Sequence, residues 1–287
     1  MSRILLLLAL GSLTAVPAYA QSPESVAVAI DSEGFVMRGR FFPSGQTGPH
    51  ATLLIIPGYP GNPNDVLGMG ARLSREGISV LMVNPRGMHE SEGTFTFAGS
   101  LRDIDAAYRW LRTSEATDGF NIDTTNIFLG GYSWGGGMSL VYAATNPQAQ
   151  RLISIAGNDH GEFIREFQRN EPYAEMILEM LRSTVAPEGP VRSDLEATLR
   201  ELVEGEEVYG LRENAGRLSD RSILMIGGWN DTGVTVDKVL LPFYRALEEH
   251  SAEDVTFHVY HDDHGFSRVR DKLTSDIVEW IEQRVRR

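Results

Sequence analysis

With 287 residues, 39 acidic against 26 basic side chains and a formal charge of -13, the chain has the size of one α/β domain. Its charge has the wrong sign for nucleic acid or an anionic membrane surface as partner. It contains no cysteine, which excludes disulfides, thiolate metal sites and a lipidated N-terminal Cys, so stability has to come from the core.

Residues 1–20 read as a signal peptide: Arg3, an apolar run from Ile4 to Leu10, then Ala18-Tyr19-Ala20 as an A-x-A site. The competing reading is a membrane anchor. Gly11, Ser12, Thr14 and Pro17 interrupt the run, whereas a spanning helix wants about 20 apolar residues. Cleavage after Ala20 is therefore expected, leaving a mature domain over 21–287 with no membrane anchor, in the periplasm or secreted.

Val26 to Ile30 and Phe35 to Phe42 flank Asp31-Ser-Glu-Gly34, which predicts an antiparallel hairpin with a four-residue turn. Beyond it, apolar strand-like runs alternate with helix-like segments, the pattern of a mostly parallel central sheet covered by helices on both faces. The strand runs are Thr52 to Ile56, Ile78 to Val83, Ile127 to Leu129, Leu152 to Ile155, Ile223 to Ile226 and Val255 to Tyr260. The helix candidates are Asp65 to Arg75, Leu101 to Arg112, Gly135 to Ala144, Asp237 to His250 and Arg270 to Arg287. About 65 residues after Ala156 break this rhythm. Two amphipathic stretches lie there, Pro172 to Arg182 and Ser193 to Glu204, joined by Ala186-Pro-Glu-Gly-Pro190, whose prolines cannot sit inside a helix. A small helical cap inserted at about 158–220 is the economical reading.

Gly130-Gly-Tyr-Ser-Trp-Gly-Gly136 follows a strand run and precedes an Ala/Met/Leu-rich helix candidate. A G-x-S-x-G pattern is weak by itself. At a strand-to-helix corner, however, it lifts a serine hydroxyl above the sheet edge, in a strained backbone for which Gly131 and Gly135 leave room. Ser133 is thus the candidate nucleophile. It needs a base of pKa near the working pH, and histidine fits. Of seven histidines, His261 and His264 follow the last strand, in Tyr260-His-Asp-Asp-His-Gly-Phe266. His264 is preferred, because the following Gly relaxes the loop and Phe266 can anchor it. A metal site is the rival reading of His-Asp-Asp-His, but the spacing suits no helical i, i+4 pair and no further ligands cluster nearby, so no metal and no cofactor are expected. Asp231, in the turn after Ile223 to Ile226, is the natural carboxylate to hold the histidine's other ring nitrogen, ahead of Asp262 and Asp263, which are too close to the base to turn back onto it. Asp237 is expected to start the next helix as a capping or dipole-complementing residue.

Together with Pro57-Gly-Tyr-Pro-Gly61, Asn84-Pro-Arg-Gly-Met-His-Glu-Ser-Glu-Gly93, Asn-Asp-Thr-Gly-Val234 and Asp-His-Gly-Phe266, these motifs resemble the α/β-hydrolase superfamily, especially its dienelactone-hydrolase-like and prolyl-oligopeptidase-like branches. The order Ser133, Asp231, His264 matches the order of that fold. The resemblance implies an oxyanion hole made by the amides of Tyr59 and Trp134, although in some relatives a tyrosine hydroxyl serves instead. It also implies a structural role for Arg86, paired with Asp103 or Asp105. Pro57 stands where the family often has His, and Pro60 has no amide to give.

The expected activity is that of an exported serine hydrolase cleaving esters or related acyl bonds through a Ser-His-Asp triad and an acyl-enzyme, with a small ester, thioester or short peptide as substrate. A serine peptidase acting on short peptides is the alternative, with Glu162, Glu166 and Glu171 offering acids for a peptide terminus unless they are solvated helix faces. A non-catalytic exported binding protein of the same fold is the other. Met176, Ile177, Met180 and Leu181 are expected on the inner face of the cap.

Overall fold

The computed structural model describes residues 24–285; the expected signal peptide and cleavage site lie outside the described residues. The hairpin joins β1 (Val26–Ser32) to β2 (Phe35–Phe42) in antiparallel register. The ladder runs to Ser32 opposite Phe35, so the turn has two residues, where four were expected. Glu33 and Gly34 both have positive φ, 54° and 85°, the twist-matched geometry that two-residue hairpin turns favour.

Six more strands complete one sheet: β3 (His50–Ile56), β4 (Ser79–Val83), β5 (Ile122–Tyr132), β6 (Arg151–Ile155), β7 (Ser222–Gly228) and β8 (Val255–Tyr260). Their order is β1-β2-β4-β3-β5-β6-β7-β8. Pairing is parallel from β4 onward, and antiparallel between β2 and its two neighbours. Strands β3, β4 and β6 are buried along almost their whole length, as expected of a sheet covered on both faces.

The covering helices are α1 (Met69–Arg75), α2 (Phe97–Trp110), α3 (Ser114–Phe120) and α4 (Trp134–Thr145) in the first half, and α10 (Leu241–Glu249) and α11 (Arg270–Glu282) in the second. Between β6 and β7 run α5 (His160–Arg169), α6 (Glu171–Thr184), α7 (Leu195–Glu204), α8 (Glu206–Tyr209) and α9 (Leu211–Leu218). Five helices thus stand where two were expected. Side-chain caps open the longer ones: Asp159 accepts from the Gly161 and Glu162 amides, Asn170 from Tyr173 and Asp194 from Ala197. Two boundaries also differ from the periodicity. Asp65, expected inside the first helix, lies outside α1 and accepts from the Gly70 and Ala71 amides at 2.7 and 3.0 Å. Thr235 is the cap, its Oγ1 accepting from the Lys238 amide, and Asp237 lies in the first turn, where its charge complements the positive end of the helix.

Three sets of bonds are prominent among those that fasten this helical insertion to the sheet domain. The Arg192 amide donates to Gly87 O and its carbonyl accepts from Phe95, both at 2.7 Å, while its guanidinium donates to the carbonyls of His89, Ser91 and Gly93. Glu201 of α7 accepts from the Phe97 and Ala98 amides at 2.9 and 2.7 Å, placing a carboxylate at the positive end of α2. Tyr59, in the loop after β3, meets Thr184 of α6 with its hydroxyl 2.8 Å from Oγ1. The loop that receives Arg192 is itself fixed by Arg86, whose guanidinium donates to Asp103 at 2.7 and 2.9 Å and whose amide donates to the same carboxylate at 2.6 Å. Asp105, the other expected partner, bonds Arg109 and Tyr142 instead.

Candidate active site

Chain direction in β5, β7 and β8 brings three loops to one edge of the sheet, the carboxyl edge at which open α/β sheets bind ligands. Ser133 turns the corner from β5 into α4 with φ 55° and ψ -121°, a conformation an L side chain holds only when its surroundings enforce it. They do so by close approach. A Cβ on Gly131 would lie 2.3 Å from the Gly135 carbonyl carbon, and one on Gly135 would lie 2.3 Å from Pro57 O, so both sites require glycine. The Ser133 amide donates to Ile155 O, and its carbonyl accepts from Asn158 N.

His264 Nε2 lies 3.0 Å from Ser133 Oγ, and its Nδ1 lies 2.5 Å from Asp231 Oδ2. Asp231 is buried, and its Oδ1 accepts from the Gly233 and Val234 amides, both at 2.9 Å, which leaves Oδ2 aimed at the imidazole. Tyr132 lies tilted against the ring at 4.9 Å between centroids and donates its hydroxyl to His264 O. Burial, and then the Asp231 charge, push the Tyr132 hydroxyl up to about 12, so it remains a donor. Asp262, one rival for the acid, is a brace. Its buried carboxylate accepts from the amides of Asp263, Arg268 and Val269 and pairs with Arg268. Burial pushes that carboxyl up, but the bonds from Arg268 and the amides outweigh it and hold it below its ordinary value. His261 is exposed, and Phe266 is fully buried beneath the loop.

Trp134 is the first residue of α4, so its amide is among those with no partner inside the helix. The Tyr59 hydroxyl is engaged with Thr184. Both side chains line a cavity of about 230 Å³ that reaches Ser133 and His264. Phe95 forms the centre of its aromatic wall, 5.7 Å from Tyr59, 5.8 Å from Phe97 and 5.5 Å from Trp134 between ring centroids. The insertion closes the opposite side with Ile177, Met180, Leu181 and Leu202. Met176, expected to share that face, is 56% exposed instead.

Phe95, Phe97, Asn158 and His160 were not singled out from the sequence. The last two carried a usable signal, since they follow β6 directly and that strand lies beside β5. His160 is fully buried, with Nε2 3.3 Å from Trp134 O and Nδ1 3.4 Å from the Asn158 side-chain nitrogen. Donation to the carbonyl and acceptance from the amide together assign a neutral ring. Burial pushes its pKa down to about 4. The unfolded chain therefore takes up this proton near pH 6.5 and the folded one only near 4, so stability falls as pH drops between those values. His160→Asn should remove roughly 2 kcal/mol of the loss between pH 7 and 4.5, as read from urea midpoints at the two pH values.

A family model described as alpha/beta hydrolase fold matches residues 51–195. No curated protein matches the chain. Among solved structures, Est1E from Butyrivibrio proteoclasticus with ferulic acid bound superposes with a TM-score of 0.66 and 16% identity, over 90% of this chain and 98% of that one. An esterase of Pyrococcus furiosus gives 0.69 and 18%, over 91% of each chain. An acylaminoacyl peptidase of Pyrococcus horikoshii gives 0.66 and 17%, over 93% of this chain and 42% of that one. At these identities the likeness is one of fold.

Proposed function

The chain belongs to the alpha/beta hydrolase fold family, and on that premise we propose that it is an exported serine hydrolase cleaving carboxylic esters through an acyl-enzyme. The observation that carries the proposal is the pair of contacts at His264, 3.0 Å to Ser133 Oγ and 2.5 Å to Asp231. His264 Nε2 takes the hydroxyl proton as Oγ bonds to the substrate's carbonyl carbon, while Asp231 holds the imidazole tautomer and the positive charge that develops on the ring. The amides of Tyr59 and Trp134 receive the oxyanion; engagement of the Tyr59 hydroxyl with Thr184 favours its amide for this task. The tetrahedral adduct collapses, the bond to the alcohol oxygen breaks, and His264 returns the proton to the departing alcohol. Water then repeats the sequence on the acyl-serine and frees the acid.

Ester rather than peptide cleavage is favoured by the state of the insertion's acids. Glu162 pairs with Arg165, Arg169 and Arg212, and Glu166 with Arg169, so neither is free to receive a peptide's amino terminus, and Glu171 is exposed at the start of α6, outside the wall of the cavity that reaches Ser133. Intact mass and peptide mapping of protein from its native source, after treatment with a fluorophosphonate, test both parts of the proposal. The expected species begins at Gln21 and carries one phosphonyl group on Ser133. Adduct at another residue overturns the nucleophile, and an uncut chain overturns export.

A further inference from the structure

Beside the aromatic cavity lies a second one of about 210 Å³. The two share Asn158, Phe163, Tyr173 and Gly233 in their walls, with Phe163 and Tyr173 edge to face at 6.1 Å between centroids where the chambers meet. Their chemistry differs. The second chamber has none of the aromatic cluster around Tyr59 and Trp134, and is lined instead by groups that include Glu166, Asn170, Thr232, Thr235 and Lys238.

Its position relates it to one half of the reaction. Residues 232–235 continue the loop of Asp231, whose carboxylate grips His264, and the alcohol oxygen must leave within reach of His264 Nε2 to collect its proton. The oxyanion-side wall is the aromatic one. The geometry points to a divided substrate site, in which the aromatic cavity takes an apolar acyl group and the polar chamber binds the departing alcohol, a neutral polyol such as a glycerol or sugar unit. This assignment rests on the serine-hydrolase reading and names its substrate class.

Neutrality follows from the charges in the wall. The Glu162 and Glu166 carboxylates are already paired with arginines, so an ammonium-bearing alcohol finds neither acid free and meets Lys238, while the one cation that the described residues of the wall offer an anionic alcohol, Lys238, is exposed. Hydroxyl groups, which both donate and accept, suit a wall that mixes carboxylate, amide, hydroxyl and ammonium groups. Thr232 and Lys238 are exposed at its rim, so they can be changed without opening the core.

The test uses three esters of one acid, hexanoate: vinyl, ethyl and 1-monoglyceryl. The readout is the ratio of kcat/KM for the glyceryl over the ethyl ester, in the wild type and in Lys238→Met and Thr232→Leu. Loss of a hydrogen bond from a charged donor corresponds to roughly tenfold. The expected wild-type ratio is roughly tenfold or more, falling by a similar factor in at least one variant. A wild-type ratio near one, or a ratio that survives in both variants, overturns the divided site while leaving the hydrolase intact, since vinyl hexanoate is still turned over. No turnover of any ester, vinyl included, overturns the hydrolase reading and this assignment with it.

Discussion

Ser133→Ala should lower kcat on vinyl hexanoate by about 10⁶-fold, and Asp231→Asn by about 10⁴-fold, with no additional loss when the two are combined. The alanine leaves the Tyr59 and Trp134 amides and the aromatic cavity in place, so residual turnover reports what binding and oxyanion stabilisation achieve without a nucleophile. The asparagine acts differently. Asp231 Oδ1 accepts two amides, so an asparagine keeps its oxygen there and turns its NH₂ toward His264 Nδ1. Nδ1 must then accept, the ring proton moves to Nε2, and the group facing Ser133 becomes a donor that cannot take the hydroxyl proton. Steady-state kinetics, with unfolding midpoints to show that both variants fold, provide the check. A Ser133→Ala enzyme within tenfold of wild type would sink the assignment.

The features that fall in the right place from sequence alone are those encoded by local pattern. The strand runs end where chemistry-bearing loops begin, so Ser133, Asp231 and His264 could each be tied to a strand end before their proximity was known. Less legible were features that depend on partners distant in sequence. The aromatic wall needs Phe95, just ahead of α2, and Phe97, its first residue, to meet Trp134, and no periodicity announces that. The insertion read as two helices because its Leu- and Met-rich stretches carry an aliphatic stripe, whereas α5 builds its apolar face from Phe163, Ile164 and Phe167 among charged residues. Helix α5 is capped by Asp159 and laced by ion pairs, Glu162 with Arg165 and Arg169 of the same helix and with Arg212 of α9, and Arg165 with Glu206 and Glu213. Hairpin length was misread because Asp31 and Ser32 are turn-prone residues that nonetheless extend the ladder. No motif marks His160. It is in the core, but in the wall of the cavity that reaches Ser133.

Asp103→Ala should destabilise the fold by about 3–5 kcal/mol, the usual consequence of stranding one member of a buried ion pair. The Arg86 and Asp103 side chains are 7% and 1% exposed. The carboxylate answers both the Arg86 guanidinium and its amide, so its loss leaves several buried donors without their acceptor. Glu33 offers only partial replacement, 3.3 Å away and 55% exposed. Ser32, 3.0 Å from the guanidinium, adds a neutral acceptor. Asp103→Asn should be milder than Asp103→Ala, because its amide oxygen still accepts a bond, and Arg86→Met in the Asp103→Ala background should recover part of the loss by removing the stranded charge. The effect should also reach the cavity. Arg86 fixes the loop whose Gly87 carbonyl receives the Arg192 amide, so loosening it weakens one of the attachments that hold the helical insertion over the aromatic wall. Urea unfolding of the single and double variants measures the first effect, and KM for hexanoate esters the second. A loss under about 1 kcal/mol for Asp103→Ala would mean that water or Glu33 satisfies the arginine, as at an exposed pair.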